Sequence, residues 1–296
     1  MQPLPPMGAS ARPDLKEVTD MLVQLSDLHI RAPGVLTYKR IDTSVYTQRA
    51  VDKVLSLPAL PAAAVMTGDL TDFGGAAEYA HLEQLLQPLM KQVPVYLVMG
   101  NHDQVTALRA QFPQMAHLHA GPGDFVQYAV YVGGMRLVVL DTTVPGEHYG
   151  CLCALRLQWL ADTLAQDAQT PTVIAMHHPP FETMFGPMDA FGLLQGREAL
   201  AEIVRAAGNV QRIVCGHLHR SIQCGFAGTV AMTAPSVAHQ LHFELGKVAQ
   251  SAWNLEPAAF VLHAMNSQQQ IVSHTVTTVE SAGPYPFWDA QGKLID

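Results

Sequence analysis

The sequence predicts an α/β fold: a four-layer αββα sandwich of two mixed sheets flanked by helices, with a small C-terminal cap or dimerisation element. Three observations predict it. Short, mainly apolar runs alternate with amphipathic stretches of helical period, which gives a βαβαβ opening. A Gly133-Gly134 pair between two further apolar runs marks a tight hairpin, so antiparallel strands join the parallel ones. From about His239 onward the pattern loosens, which suggests an appendage to the main body. The expected organisation is a flexible arm at 1–19, the main α/β domain at 20–238, and a cap region at 239–296.

Each element has its own warrant. Met21–Leu25, Ala63–Met66 and 93–99 are short apolar runs closed by polar or glycine-bearing turns, the look of buried parallel strands. Thr43–Leu55 places Val45, Val51, Val54 and Leu55 near one helical face, and 75–90 does the same with Tyr79, Leu82, Leu85, Leu86 and Leu89. Strands at 126–132 and 135–140, a helix at 154–164 and a strand at 172–176 form a second series. A helix at 198–206 and strands at 212–215, 223–226 and Thr229–Thr233 follow, and 260–264 with 270–276 reads as a terminal hairpin. No internal repeat or low-complexity tract is visible.

Composition narrows the function. With 17 Lys+Arg against 25 Asp+Glu the formal charge is −8, which excludes a broad nucleic-acid groove needing surplus cations. At 49% apolar and 14% charged, the chain has material for a large core and too little charge for disorder. No apolar run approaches the roughly 18 residues of a membrane span. The first twenty residues carry prolines and charges without an apolar core of the secretory kind, so a cytoplasmic location is expected. Four cysteines with no C-x-x-C read as reduced thiols. Histidine is the odd count: 14 imidazoles in a chain poor in charge invite a search for metal ligands.

The chemistry-bearing blocks sit just after the expected strands, where open α/β sheets present their ligand sites. They are Asp27-Leu28-His29, Gly68-Asp69, Gly100-Asn101-His102-Asp103, His177-His178 and Gly216-His217-Leu218-His219. Each alone is a common turn, but five in this order are not independent turns. A carboxylate such as Asp69 can span two cations about 3.5–4 Å apart, the separation of two-metal phosphoryl chemistry. In an extended segment His217 and His219 would point the same way, and His178 away from His177.

In that order the blocks resemble the calcineurin-like metallophosphoesterase superfamily, over about residues 20–235. The resemblance implies that Asp27, His29 and His219 bind one metal, that Asn101, His177 and His217 bind a second, and that Asp69 bridges both. It implies that His102 stabilises the transition state or protonates the leaving alkoxide, with Asp103 orienting its imidazole. The imidazole, carboxylate and amide donors favour Fe, Mn, Zn or Co over Ca or Mg. The implied reaction is in-line attack on phosphorus by a metal-bound hydroxide.

Departures from sibling patterns choose the branch. The stretch Gly68-Asp69-Leu70-Thr71-Asp72-Phe73-Gly74 lacks the arginine of protein Ser/Thr phosphatases, and Asp72 stands where purple acid phosphatases place a tyrosine ligand. Residues 31–42, Leu140-Asp141-Thr142-Thr143-Val144-Pro145-Gly146, Ser236-Val237-Ala238-His239-Gln240 and Ala282-Gly283-Pro284-Tyr285 look like class III cyclic-nucleotide phosphodiesterases and, more closely, bacterial glycerophosphodiesterases. That similarity implies Tyr38, Thr143 and His239 in the substrate pocket and a homodimer or higher homo-oligomer. The expected function is hydrolysis of small phosphodiesters, with no extended nucleic acid and no membrane as partner. The alternatives are a phosphomonoesterase or nuclease on the same scaffold, and a non-catalytic metal-binding scaffold. His81, His117, His119, His148, His242, His263 and His274 lack motif context and read as surface or satisfied histidines.

Overall fold

The computed structural model describes residues 20–245 and 252–295. The expected arm at 1–19 lies outside the described residues. The first half of the chain runs β1 (Met21–Leu25), α1 (Thr43–Leu55), β2 (Ala63–Met66), α2 (Ala76–Met90), β3 (Val95–Leu97), α3 (Val105–Gln111), β4 (Tyr128–Val132), β5 (Met135–Val139) and β6 (Gly150–Cys151). The second half runs α4 (Ala154–Ala165), β7 (Thr172–Ala175), β8 (Leu193–Gln195), α5 (Arg197–Ala207), β9 (Val210–Cys215), β10 (Ile222–Phe226) and β11 (Thr229–Thr233). Four further strands follow: β12 (Gln240–Leu241), β13 (Trp253–Asn254), β14 (Ala259–Met265) and β15 (Ile271–Thr277).

Two mixed sheets form the body, in the orders β15-β14-β1-β2-β3 and β10-β11-β9-β7-β5-β4. Their layering is written in the alternation of side chains. Leu137, Val139, Val173, Ala175, Val214 and Met232 face the core shared with the first sheet. Their neighbours Val138, Ile174, Ile213 and Ala231 face a second core with Leu160 and Leu164 of α4 and Leu200 and Val204 of α5. Successive strand residues point to opposite faces, so a sheet apolar on both faces must be covered on both. Helices α1, α2 and α3 pack in sequence on one another and α4 packs on α5.

Two expectations needed correction, and five short elements were not foreseen. The terminal hairpin exists, but it lies in the first sheet and not in a cap. Strand β14 pairs antiparallel with β1 through Met21↔Ala264 to Gln24↔Val261, and β15 continues outward. The physical reason is that β1, apolar on both faces, needs a hydrogen-bonding neighbour on each edge, and β2 supplies only one. In α1, Val45 is exposed, and the buried stripe is Thr43, Thr47, Ala50, Val51 and Val54. The short elements α3, β6, β8, β12 and β13 carry too few residues for a periodic signal.

Candidate metal centre

Parallel strands β1, β2 and β3 in one sheet, and β7 and β9 in the other, end at one edge of the sandwich. The loop after each carries one of the sequence blocks. Asp27, His29, Asp69, His177, His217 and His219 are all buried, while Asn101 and His102 are partly open to solvent. Five of these residues hold left-handed backbone: Asp27 (φ 53°), His29 (φ 46°), Asp69 (φ 48°), His217 (φ 72°) and His219 (φ 49°). Non-glycine residues take this region rarely and at a cost, and such outliers cluster at working sites. Here the sharp turns, in three of the five loops, aim their side chains at one point. The reason given by sequence for His217 and His219 converging, an extended segment, is therefore corrected: they converge through a turn, with Leu218 buried between them. Gly100 is required by close approach, because a Cβ there would stand 2.1 Å from the Asp69 backbone nitrogen.

The hydrogen bonds fix what each ring presents. His29 Nδ1 donates to Asp72 Oδ1 at 3.1 Å, and His219 Nδ1 donates to the His239 carbonyl at 2.9 Å. Both neutral rings then turn an Nε2 lone pair inward, and the two Nε2 atoms are 3.1 Å apart. On the other side His177 Nδ1 donates to the Thr67 carbonyl at 2.8 Å, which leaves its Nε2 facing Asn101 Oδ1 at 3.1 Å and His217 Nδ1 at 3.2 Å. Asp69 divides its oxygens between the groups: Oδ2 is 3.6 Å from His29 Nε2 and Oδ1 is 3.3 Å from His177 Nε2. Lone pairs facing one another this closely repel unless positive charge lies between them. Two clusters of nitrogen and oxygen donors sharing one carboxylate fit two transition-metal ions.

The electrostatics point the same way. Burial pushes the Asp69 carboxyl up, but the imidazoles of His177 and His102 outweigh it and hold the group well below the usual carboxylate range. Burial pulls His177 down, and Asp69 outweighs that, raising it to about 9. His29 is also raised, against burial, by Asp72, Asp69 and Asp27. The carboxylates thus favour positive charge where the inward lone pairs meet. His217 and His219 are lowered, first by burial, so they present neutral nitrogens.

Residues 21–221 match the family described as Calcineurin-like phosphoesterase, more than half of the chain. The chain belongs to that family. Calcineurin-like phosphoesterases are hydrolytic and use a dinuclear metal centre, and the two donor clusters here are placed to form one. Among curated relatives, the "Probable glycerophosphodiester phosphodiesterase GpdQ" of Arcobacter nitrofigilis is 30% identical over 93% of this chain and 100% of its own length. A cAMP/cGMP dual specificity phosphodiesterase of Mycobacterium tuberculosis is 34% identical over 74% of this chain and 68% of its own. A dimetal phosphatase from Danio rerio shares the fold at TM-score 0.60 and 17% identity, covering 88% of this chain and 100% of its own.

Around the calcineurin-like core lies a layer that sequence reasoning did not find. Asp72 takes the His29 proton on Oδ1 and the Arg31 Nη1 proton on Oδ2 at 3.0 Å. Arg31 also pairs with Glu78 through Nε at 3.1 Å and lies over the Phe73 ring. The signal was present in the spacing, three residues after Asp69, but Asp72 reads from sequence only as an absent tyrosine. A second chain runs from the terminal hairpin. His263 Nε2 donates to Gln24 Oε1, Gln24 Nε2 to Thr67 Oγ1, Thr67 to Ser26 Oγ, and Ser26 to Asp27 Oδ2 at 2.6 Å. Nothing in sequence order links residue 263 to residue 27.

The remaining site expectations divide. His102 Nδ1 donates to the Asp72 carbonyl at 2.8 Å, and its Nε2 lies 4.0 Å from Asp69 Oδ2 at the edge of the cluster. Asp103 does not orient that imidazole, which corrects its expected role. Its carboxylate accepts from the backbone of Leu70, Thr71 and Gly100 and from the hydroxyls of Thr71 and Tyr79. It therefore ties the Asp69 loop to the Asn101 loop, and burial, then the Asp69 charge, raises it to about 6.

A cavity of about 310 Å³ opens over the centre, lined by His102, Tyr38, His148, Met188, Phe191 and Leu241 among others. Tyr38 stands at its rim, edge-on to His239 and beside Trp253. His239 is buried against His219 and His29 with both ring nitrogens unpartnered. Thr143 instead lines a neighbouring cavity of about 300 Å³, and its backbone N–H and hydroxyl are spent on Asp141. That removes its side chain from the cavity over the centre. His178 lies 4.9 Å from the His177 ring and 4.7 Å from His217, and its nitrogens engage Thr142 and the His148 carbonyl.

Proposed function

We propose that the chain is a metal-dependent phosphodiesterase of small diesters, glycerophosphodiesters or 3′,5′-cyclic nucleotides. Asp27, His29 and His219 hold one ion, Asn101, His177 and His217 hold the second, and Asp69 bridges them. The observation that carries this is the division of the Asp69 oxygens between two sets of inward lone pairs. The donor set suits Fe, Mn, Zn or Co. Bound there, two such ions supply positive charge for the phosphoryl oxygens and acidify a water.

The chain's own residues do the rest. Its left-handed turns keep the ligands converged before substrate arrives, so little reorganisation remains. His102, with Nδ1 anchored on the Asp72 carbonyl, holds Nε2 toward the centre; in its doubly protonated form it gives the Nε2 proton to the departing alkoxide and is left neutral, with its remaining hydrogen on Nδ1. Tyr38 lines the alcohol side, with the buried His239 packed edge-on behind it. The full-length likeness to the Arcobacter nitrofigilis relative favours glycerophosphodiesters over cyclic nucleotides.

Further parts of the reading concern setting. Four free cysteines support a reducing, cytoplasmic location. Tyr285, Phe287, Trp288, Leu294 and Ile295, each more than half exposed, support burial of the C-terminal segment against another copy of the chain. Those residues, together with β12 and β13, are the part of 239–296 in which a cap and dimerisation element belongs.

The test is a substrate panel on metal-depleted protein reconstituted with Fe, Mn, Zn or Co: glycerophosphoethanolamine, cyclic AMP, bis(p-nitrophenyl) phosphate and p-nitrophenyl phosphate. Diesters are expected to be cleaved at least tenfold more efficiently than the monoester. A monoester preference, or no turnover with any metal, overturns the reading.

A further inference from the structure

Resting on that reading, we infer that His148 is a second imidazole that grips the substrate, donating from Nε2 to a non-bridging phosphoryl oxygen of the bound diester. Asn101 turns its Oδ1 to His177 Nε2, so its Nδ2 is turned outward, where it lies 3.2 Å from His148 Nδ1. An amide nitrogen only donates, so Nδ1 of His148 must accept. A neutral imidazole that accepts at Nδ1 carries its proton on Nε2. That Nε2–H has no hydrogen-bond partner among the described residues, and the ring lines the cavity over the centre.

The placement is held from behind. The His148 carbonyl accepts from His178 Nε2 at 3.2 Å, and His178 Nδ1 is in turn engaged by the Thr142 hydroxyl at 2.7 Å. Gly150 presses on the same ring so closely that a Cβ there would come within 2.6 Å of His178 Cγ. The loop between Thr142 and Gly150 is therefore clamped at three points on His178, the residue next to a proposed ligand. On the cavity side the His148 ring stands 6.2 Å from His102 and 6.0 Å, edge-on, from Phe191. A solvent-facing histidine with no role needs neither a fixed tautomer nor a buried clamp. The arrangement gives the site two imidazoles of different duty: His102 beside the Asp69 oxygens, and His148 across from it as a donor to anionic oxygen.

The test uses three variants of the full chain, His148→Ala, His148→Gln and His148→Asn, loaded with the same metal as the wild type. Glutamine can place a donor near Nε2, and asparagine can place only an acceptor near Nδ1. His148→Ala is expected to lower kcat/KM for bis(p-nitrophenyl) phosphate about 10- to 100-fold, the worth of one hydrogen bond to a charged group. It should weaken inorganic phosphate binding, read by calorimetry, by a similar factor while leaving metal content per chain unchanged. His148→Gln should recover most of both losses and His148→Asn should not. Rates and phosphate binding within twofold of wild type in all three variants would overturn the inference. So would a loss of metal content alongside activity in His148→Ala that His148→Asn restores, since His148 would then act only by supporting Asn101. Because phosphate binding is read apart from turnover, a chain that cleaves no diester defeats the proposed function without deciding this contact.

Discussion

The two halves of the centre are held in different ways. In the first half Asp27 and His29 are held mainly by side chains: Ser26, with the backbone N–H of His217, grips the Asp27 carboxylate, Asp72 grips His29, and Arg31 and Glu78 brace Asp72, while His219 rests on the His239 carbonyl. In the second half His177 rests on a backbone carbonyl, and Asn101 is a neutral, partly exposed amide whose outward neighbour is the exposed His148. Beyond the shared Asp69, the first half brings a carboxylate of its own and the second brings none. On the proposed ligand set, one anionic ligand fewer and more solvent predict that the second half is the weaker and more adaptable binder, and the half left open to substrate.

The residue common to both halves is the place to break the comparison. Asp69→Ala should cost at least one ion and nearly all turnover, a fall of more than about 10⁴-fold, since both metal roles are lost together. Elemental analysis with a diester assay checks it, and an active, fully metallated variant would refute the bridge. His102→Ala removes a neighbour of His29 and Asp69 but no proposed ligand, so both ions should stay while kcat falls about 10²- to 10⁴-fold. Unchanged rates would remove His102 from the chemistry.

The support layer sharpens the comparison further. Asp72→Ala should weaken metal binding in the first half, or activity, by about 10- to 100-fold. Competition with a graded chelator measures this, and equal losses in both halves would show that the side-chain bracing is not specific to the first.

The smallest effect lies farthest from the metals. His263 is fully buried, and burial with the charge of Arg212 pushes its imidazole down to about 3 from 6.5. In that window the unfolded chain takes up a proton that the folded chain refuses. Stability is therefore complete above 6.5 and lost as pH falls, by about 2 kcal/mol at pH 5. Urea unfolding of His263→Gln at pH 5 and 7.5 should show a smaller difference between the two pH values than wild type. An unchanged difference would show that His263 is not the source.

How much of this was legible in the sequence follows from how local each signal is. The strands and long helices carry their period within a dozen residues, and the metal blocks sit in single loops, so both could be read. Asp72 lay inside a block, but its value depends on His29, 43 residues away, meeting it in space. The hairpin at 259–277 was readable as a hairpin, while its docking on β1 depends on an open sheet edge that no local pattern announces. The same holds for His263 and Gln24, joined across 239 residues. The partner of His148 could not be read locally either, because it is Asn101, 47 residues away, and depends on which way that amide turns. Asp103 was assigned to its sequence neighbour when its partners lie in the loop after β2.

The central claim is a pair of ions bridged by Asp69, with the first half binding more tightly. Metal-depleted chain titrated with Mn²⁺, followed by calorimetry and electron paramagnetic resonance, tests it directly. Two ions per chain should bind in two steps of different affinity, with an exchange-coupled signal growing in the second step. A single ion per chain, or two that show no coupling, would contradict it.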